Sequence, residues 1–305
     1  MLNEQDLKGI YVPVVTPFLP STELDIESYR NYLGKLLEQD IQGLVINGTT
    51  GESPTVSWDE VVELVQTTKA SMLAKHSRMP IVIGTGTNDT VSTVKRTEWA
   101  GQLGADAVMV IVPYYNRPSQ EGIIEHFRKV AEVGVPVIAY EVPARTGVRL
   151  TADTTLRIME LDGVIGLKDS SGGTALVSEL TSRGSKPVLC GDDIYFHTML
   201  SQGAAGGILA SANINTQDFI NVFRLASQGD FKAAKKAFDP LAPLIAKLFQ
   251  EPNPAPLKWL LAQQGVISSG TLRLPMVPIT KSLQLELEQT MQNLLHNESY
   301  TISTT

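Results

Sequence analysis

The sequence predicts an α/β chain folded as a closed (β/α)8 barrel with a C-terminal helical extension. Short Val/Ile/Leu-rich runs alternate with longer amphipathic stretches. Most runs are apolar nearly throughout, as expected of parallel strands buried on both faces. Eight of them follow one another, more than a doubly wound open sheet, the competing architecture, commonly needs. In chain order the strand candidates are Gly9–Phe18, Gly43–Asn47, Pro80–Gly84, Ala107–Pro113, Pro136–Glu141, Val164–Asp169, Pro187–Gly191 and Gly206–Ser211. Between them lie helical patterns: in Asp59–Ala74, Val62, Leu64, Val65, Thr68 and Met72 recur near helical spacing, and Gln120–Val133 and Asp218–Ser227 read the same way. From Asp230 the pattern becomes purely helical, over Asp230–Phe249, Pro256–Gln264 and Ser282–Asn297, and the polar tail Glu298–Thr305 is expected to fray. The division expected is a barrel over 1–229 and a helical domain over 230–305.

Composition narrows the function classes. The 305 residues carry a net charge of −7 with no Lys/Arg-rich run, which argues against a nucleic-acid-binding surface. The acidic start Met1-Leu2-Asn3-Glu4-Gln5-Asp6 does not fit a signal peptide, and the apolar run Ala107–Pro113 is far too short to span a bilayer. Cys190 is the only cysteine, so no intrachain disulfide forms. His76, His126, His197 and His296 show no metal-ligand spacing. A soluble cytoplasmic protein with no structural metal, no nucleic-acid partner and no membrane contact is expected.

In a (β/α)8 barrel, chemistry gathers at the C-terminal ends of the strands, and polar residues there carry the search. Lys168 ends the sixth run. Burying a charged lysine in an apolar strand is costly, and a neutral amine is the nucleophile that makes a Schiff base with a ketone. Position alone leaves open a lysine that reaches solvent or pairs with Asp169. Tyr140 ends the fifth run, where a phenol can donate and accept protons, or simply rest in the core with its hydroxyl at the rim. Arg145, in Pro143-Ala-Arg-Thr-Gly147, offers a fork for a carboxylate, or a surface ion pair. The loop Gly48-Thr49-Thr50-Gly51-Glu52-Ser53 combines close backbone approach with hydroxyl and amide donors, but it is not a Walker loop, and a hydrogen-bonded turn is the plainer reading. Gly84-Thr85-Gly86 reads as a turn and Gly191-Asp192-Asp193 as a loop anchor. In Tyr114-Tyr115, consecutive side chains diverge, so one can face a site and the other an interface.

Taken in order, these segments resemble the dihydrodipicolinate synthase/N-acetylneuraminate lyase family of pyruvate-dependent class I aldolases. The resemblance runs through Gly48–Ser53, Tyr114–Gly122, Tyr140 with Pro143–Gly147, Gly166–Lys168, Gly191–Asp193, Glu251–Lys258 and Leu272–Met276. The Tyr-Tyr-Asn, Arg-Thr-Gly and Glu-Pro-Asn-Pro stretches favour its synthase branch. The resemblance implies a TIM barrel and a lyase of lysine and diaminopimelate biosynthesis that condenses pyruvate with L-aspartate 4-semialdehyde and needs no cofactor beyond the covalent Schiff base. It implies that Lys168 binds pyruvate covalently and that Tyr140 relays protons with Thr49 and with Tyr115 from a neighbouring subunit. Thr50, Gly48 and the Ile208 backbone would serve the pyruvate carboxylate, and Arg145 the semialdehyde. A homo-oligomer, dimer or tetramer, is implied as well.

Two departures from the family pattern stand out. Glu141 replaces the usual Asn, and a carboxylate there is expected to repel an acidic substrate or to pair with Arg145. That keeps a related aldolase or dehydratase of 2-keto-3-deoxy sugar acids or hydroxy-oxoglutarate as an alternative, with a non-catalytic keto-acid sensor behind it. In the lysine-inhibited pocket of the family, Asn88 and Tyr114 match, but Ser92 replaces the acid, and Trp58 and Val61 replace histidines. Weak or absent lysine inhibition is expected, because the partner of an ammonium is lost.

Overall fold

The structure, a computed structural model, describes residues 1–302, with side chains through residue 294. Eight strands close a parallel barrel in sequential order: β1 (Gly9–Pro13), β2 (Gly43–Ile46), β3 (Ile81–Gly84), β4 (Ala107–Ile111), β5 (Val137–Glu141), β6 (Val164–Asp169), β7 (Val188–Cys190) and β8 (Gly206–Ile208), with β8 returning to β1. The sequence-based expectation of a TIM barrel holds. Side-chain alternation divides the apolar residues between two cores. Tyr11, Val45, Met109, Ile138 and Leu189 fill the barrel interior, while Ile10, Leu44, Ile83, Val108 and Leu167 face the helical ring.

The strands are shorter than the apolar runs. The run from Gly9 to Phe18 pairs as a strand only to Pro13, because Pro13 and Pro17 lack the N–H a ladder needs. The expected helix Asp230–Phe249 is broken into Phe231–Phe238, a 3-10 turn Asp239–Leu241, and Ala242–Leu248. Pro240 and Pro243 cause the breaks. Helix Ala255–Gln263 follows, and the last helix, Lys281–Ile302, continues through residues expected to fray; residues 303–305 lie outside those described. The C-terminal helices join the outer core, with Phe238, Leu244, Leu257 and Leu283 buried together with the barrel's outward residues. No helix among the described residues is long and apolar enough to cross a membrane.

Candidate active site

The register of two neighbouring strands builds the centre. Tyr140 of β5 pairs with Lys168 of β6, and both side chains turn into the barrel. Lys168 Nζ lies 4.2 Å from the centroid of the Tyr140 ring, and the two residues are only 6% and 5% exposed. Of the two open readings for Lys168, the outward one fails. It forms no ion pair among the described residues, and Asp169 accepts from Ser171 N at 2.9 Å instead. Gly191 makes the room: a Cβ there would stand 2.7 Å from Lys168 Cε and 2.2 Å from Ser170 Oγ. The absence of a side chain one strand away is therefore what lets the lysine stem lie along the barrel wall.

A cavity of about 740 Å3 opens above the amine at the C-terminal mouth, lined by Lys168, Tyr140, Thr49, Thr50, Arg145 and Ile208. Thr50 is buried and Thr49 half-buried, in a loop closed by Gly51 N to Gly48 O (3.0 Å) and Glu52 N to Thr49 O (3.1 Å). The turn reading of this loop is thus correct as well, since the turn is what aims the threonines. Ile208 is the last residue of β8 and buried. Arg145 sits exposed at the rim in the short helix Pro143–Thr146. A second cavity, of about 530 Å3, shares Thr49, Tyr140 and Arg145 with the first and adds Gly48, Asn88, Ser92, Arg96 and Tyr114. Gly84 and Gly86 also border it. Trp58 is instead packed against Trp99, with ring centroids 5.4 Å apart, and Val61 is buried; neither lines that cavity.

Tyr115 is not brought to this centre. It is 89% exposed and lines neither cavity. Its φ of 72°, followed by 45° at Arg117, places two side-chain-bearing residues in the left-handed region, a strained arrangement that holds the ring away from its own barrel.

The expectation for Glu141 needs correction. Being next to an inward Tyr140, it points outward, where it is completely buried and accepts from Leu150 N at 2.9 Å. It neither faces the cavity nor pairs with Arg145. Burial, and secondarily Asp169 on the next strand, push its carboxyl up to about 7. Asp192 and Asp193 are anchors, as expected: Asp192 takes Gly172 N at 3.0 Å and Asp193 takes Ser211 N at 2.6 Å. Burial raises Asp193 to about 6 against the pull of that bond. No cluster of His, Cys, Asp and Glu among the described residues is arranged to hold a metal.

Among the cavity residues that sequence reasoning did not single out are Arg149 and Asn253. Arg149 follows Arg145 on the same loop and offers a second guanidinium, a signal that was readable. Asn253 lies in the Glu-Pro-Asn-Pro stretch, but its contact with Thr50 spans 203 residues and has no local signature.

Together the amine, the phenol ring it lies against, two threonines and a cationic rim suit covalent capture of a keto acid. Comparison with known proteins agrees with the fold and motifs. The model of the dihydrodipicolinate synthetase family matches residues 6–294. The chain is 35% identical to 4-hydroxy-tetrahydrodipicolinate synthase 2 of Clostridium acetobutylicum, covering 93% of this chain and 99% of that one. It superposes on the 4-hydroxy-tetrahydrodipicolinate synthase of Methylacidiphilum fumariolicum with a TM-score of 0.91 at 33% identity, covering 96% and 98% of the two chains. For the chloride-inhibited dihydrodipicolinate synthase of Acinetobacter baumannii, solved with pyruvate, the TM-score is 0.90 at 34% identity, covering 94% and 99%. The chain belongs to the dihydrodipicolinate synthetase family.

Proposed function

We propose that this protein is a cofactor-independent lyase that condenses pyruvate with L-aspartate 4-semialdehyde to give 4-hydroxy-tetrahydrodipicolinate, in the lysine and diaminopimelate route. The observation that carries the reading is the Lys168 amine, buried without an ion-pair partner among the described residues and lying against the Tyr140 ring at an open cavity that Thr49, Thr50 and Arg145 also line. The relatives named as synthases, one of them solved with pyruvate, support the choice of substrates.

In this reading the Lys168 amine attacks C2 of pyruvate, and the carbinolamine loses water to an iminium. Tyr140 delivers the proton that the leaving hydroxide needs. Loss of a methyl proton to the same relay gives the enamine, with the iminium nitrogen as electron sink. The enamine carbon then bonds to the aldehyde carbon, whose oxygen takes up a proton. Attack by the amine of the semialdehyde on C2 closes the ring and frees Lys168. Thr50 and the Ile208 backbone, with Gly48 nearby, hold the pyruvate carboxylate. Thr49 links Tyr140 to Tyr115 of a neighbouring copy, and Arg145 receives the second carboxylate, with Arg149 beside it. The site is completed in a homo-oligomer and operates in the cytoplasm.

The sugar-acid alternative drew its support from Glu141, and that carboxyl faces away from the cavity. Turnover measured with pyruvate and a panel of acceptors tests the proposal. Aspartate semialdehyde is expected to be preferred, with turnover abolished in Lys168→Ala. A preference of about 100-fold for a 2-keto-3-deoxy sugar acid, equivalent to ~2.7 kcal/mol in transition-state binding, would reverse it.

A further inference from the structure

Thr49 and Thr50 ride on a loop whose bend is held by residues from the far end of the chain. Glu52, two residues beyond Thr50, has a φ of 57°, a left-handed conformation that side-chain-bearing residues adopt rarely. Its carboxylate is buried between two residues of the C-terminal segment. Lys258 Nζ donates to Oε1 at 2.7 Å, and Arg273 N donates to Oε2 at 3.2 Å. Lys258 is itself fully buried, lies 4.3 Å from the Phe18 ring centroid, and donates also to Thr16 O at 2.9 Å. Thr16 Oγ1 in turn donates to Gly51 O at 2.7 Å. Within the same loop, Thr50 Oγ1 accepts from Asn253 Nδ2 at 3.1 Å.

A buried ion pair is a poor way to gain stability, because desolvating both charges offsets most of their attraction and an apolar pair of similar volume often does as well. What it supplies is direction: an ammonium in a dry site must be met by particular acceptors at particular angles. Here those acceptors lie on the two strand-end loops, after β1 and after β2, that border the threonines. The bond from Asn253 adds chemical polarity, since it occupies a lone pair of the Thr50 oxygen and leaves that hydroxyl's own proton to be donated elsewhere, toward the cavity.

We propose that Glu52 and Lys258 are positioning residues of the keto-acid site, a clamp through which the C-terminal helical segment holds Thr49 and Thr50 in the geometry that receives the carboxylate. This inference rests on the keto-acid reading of the cavity. The clamp acts on the bound keto acid far more than on the aldehyde, whose proposed contacts are across the mouth at Arg145.

Steady-state kinetics of the full-length protein, with pyruvate and aldehyde varied separately, tests it. In Lys258→Met the KM for pyruvate is expected to rise about tenfold, ~1.4 kcal/mol, while the KM for the aldehyde stays within about twofold. A purely structural role would lower the amount of active enzyme without moving either KM. Glu52→Gln keeps the side-chain length and one acceptor, and should raise the pyruvate KM about threefold; it carries the test if Lys258→Met does not fold. Lys235→Ala removes an exposed pair with Asp239 on the same segment and is expected to leave both constants unchanged. An unaltered pyruvate KM in the clamp variants would overturn the clamp while leaving the keto-acid reading intact. A wild-type protein that does not turn over pyruvate would remove the reading and the clamp with it.

Discussion

Glu141 and Asp169 directly follow Tyr140 and Lys168, and the two-residue period of a strand turns both carboxyls away from the cavity, side by side across β5 and β6. One oxygen of each, Glu141 Oε2 and Asp169 Oδ2, is buried without a hydrogen-bond partner. Burial first, and Asp169 second, hold the Glu141 carboxyl near 7, against the Leu150 N–H and Arg149, which pull it down. The consequence for stability has a definite sign. The folded protein binds a proton at Glu141 that the unfolded chain releases near its ordinary value of 4.5, so the contribution is complete below that pH and is lost as pH rises through about 7. Glu141→Gln keeps an acceptor for Leu150 and removes the titration. In urea unfolding between pH 5 and 8, the stability difference should move in the variant's favour by about 2–3 kcal/mol. Equal slopes would mean that Glu141 titrates normally. His126, pushed down to about 4 by burial, adds an opposite slope at acid pH, but equally in both proteins. The outward direction of Glu141 was legible in the sequence, because an inward Tyr140 forces it; the identity of its partner, Leu150, was not.

At the scale of elements, the positions of the strand ends were readable and their lengths were not. Lys168 and Tyr140 could be singled out because a polar residue closes an apolar run, and the barrel rule assigns meaning to that end. The runs overshoot because apolar residues continue past the ladder into buried loops, as Val14, Val15 and Phe18 do after β1. The breaks at Pro240 and Pro243 were marked in the sequence and outweighed there by a continuous helical pattern. Helix Trp58–Ala74 shows the local rules at work: Ser57 Oγ accepts from Glu60 N at 3.3 Å, Ser57 N donates to Glu60 Oε2 at 2.8 Å, and Glu60 also pairs with Arg273. Ser57→Ala removes half of that box and should cost about 1 kcal/mol, lowering Tm by about 2–4 °C with both KM values unchanged. An unchanged Tm would place the helix start under tertiary control alone.

The whole molecule explains what no local pattern contained. Asn253, Lys258 and Arg273 reach the Gly48–Ser53 loop across more than half of the chain, and only the closed fold brings them there. Tyr115 stands exposed and strained at the rim, and only in the proposed mechanism does it serve a neighbouring copy. Tyr115→Phe is expected to lower kcat by about tenfold or more with a smaller change in the KM for pyruvate, since in the proposed mechanism its hydroxyl belongs to the proton relay and not to the carboxylate contacts; unaltered turnover would remove Tyr115 from the relay. Regulation is decided at the same scale. Ser92 stands in the second cavity where the family pattern has an acid, with the Arg96 cation beside it, and the carboxylate that does line this cavity, Asp89, spends one oxygen on capping Ser92 N at 2.7 Å. Lysine should therefore inhibit weakly or not at all, and strong inhibition at sub-millimolar lysine would contradict this. The most direct measurement on the whole enzyme is reduction with borohydride in the presence of pyruvate, followed by peptide mass spectrometry. A single reduced pyruvate adduct on Lys168, absent from Lys168→Ala, is the expected result; a wild-type protein left unmodified, or modified at another lysine, would contradict covalent capture at the end of β6.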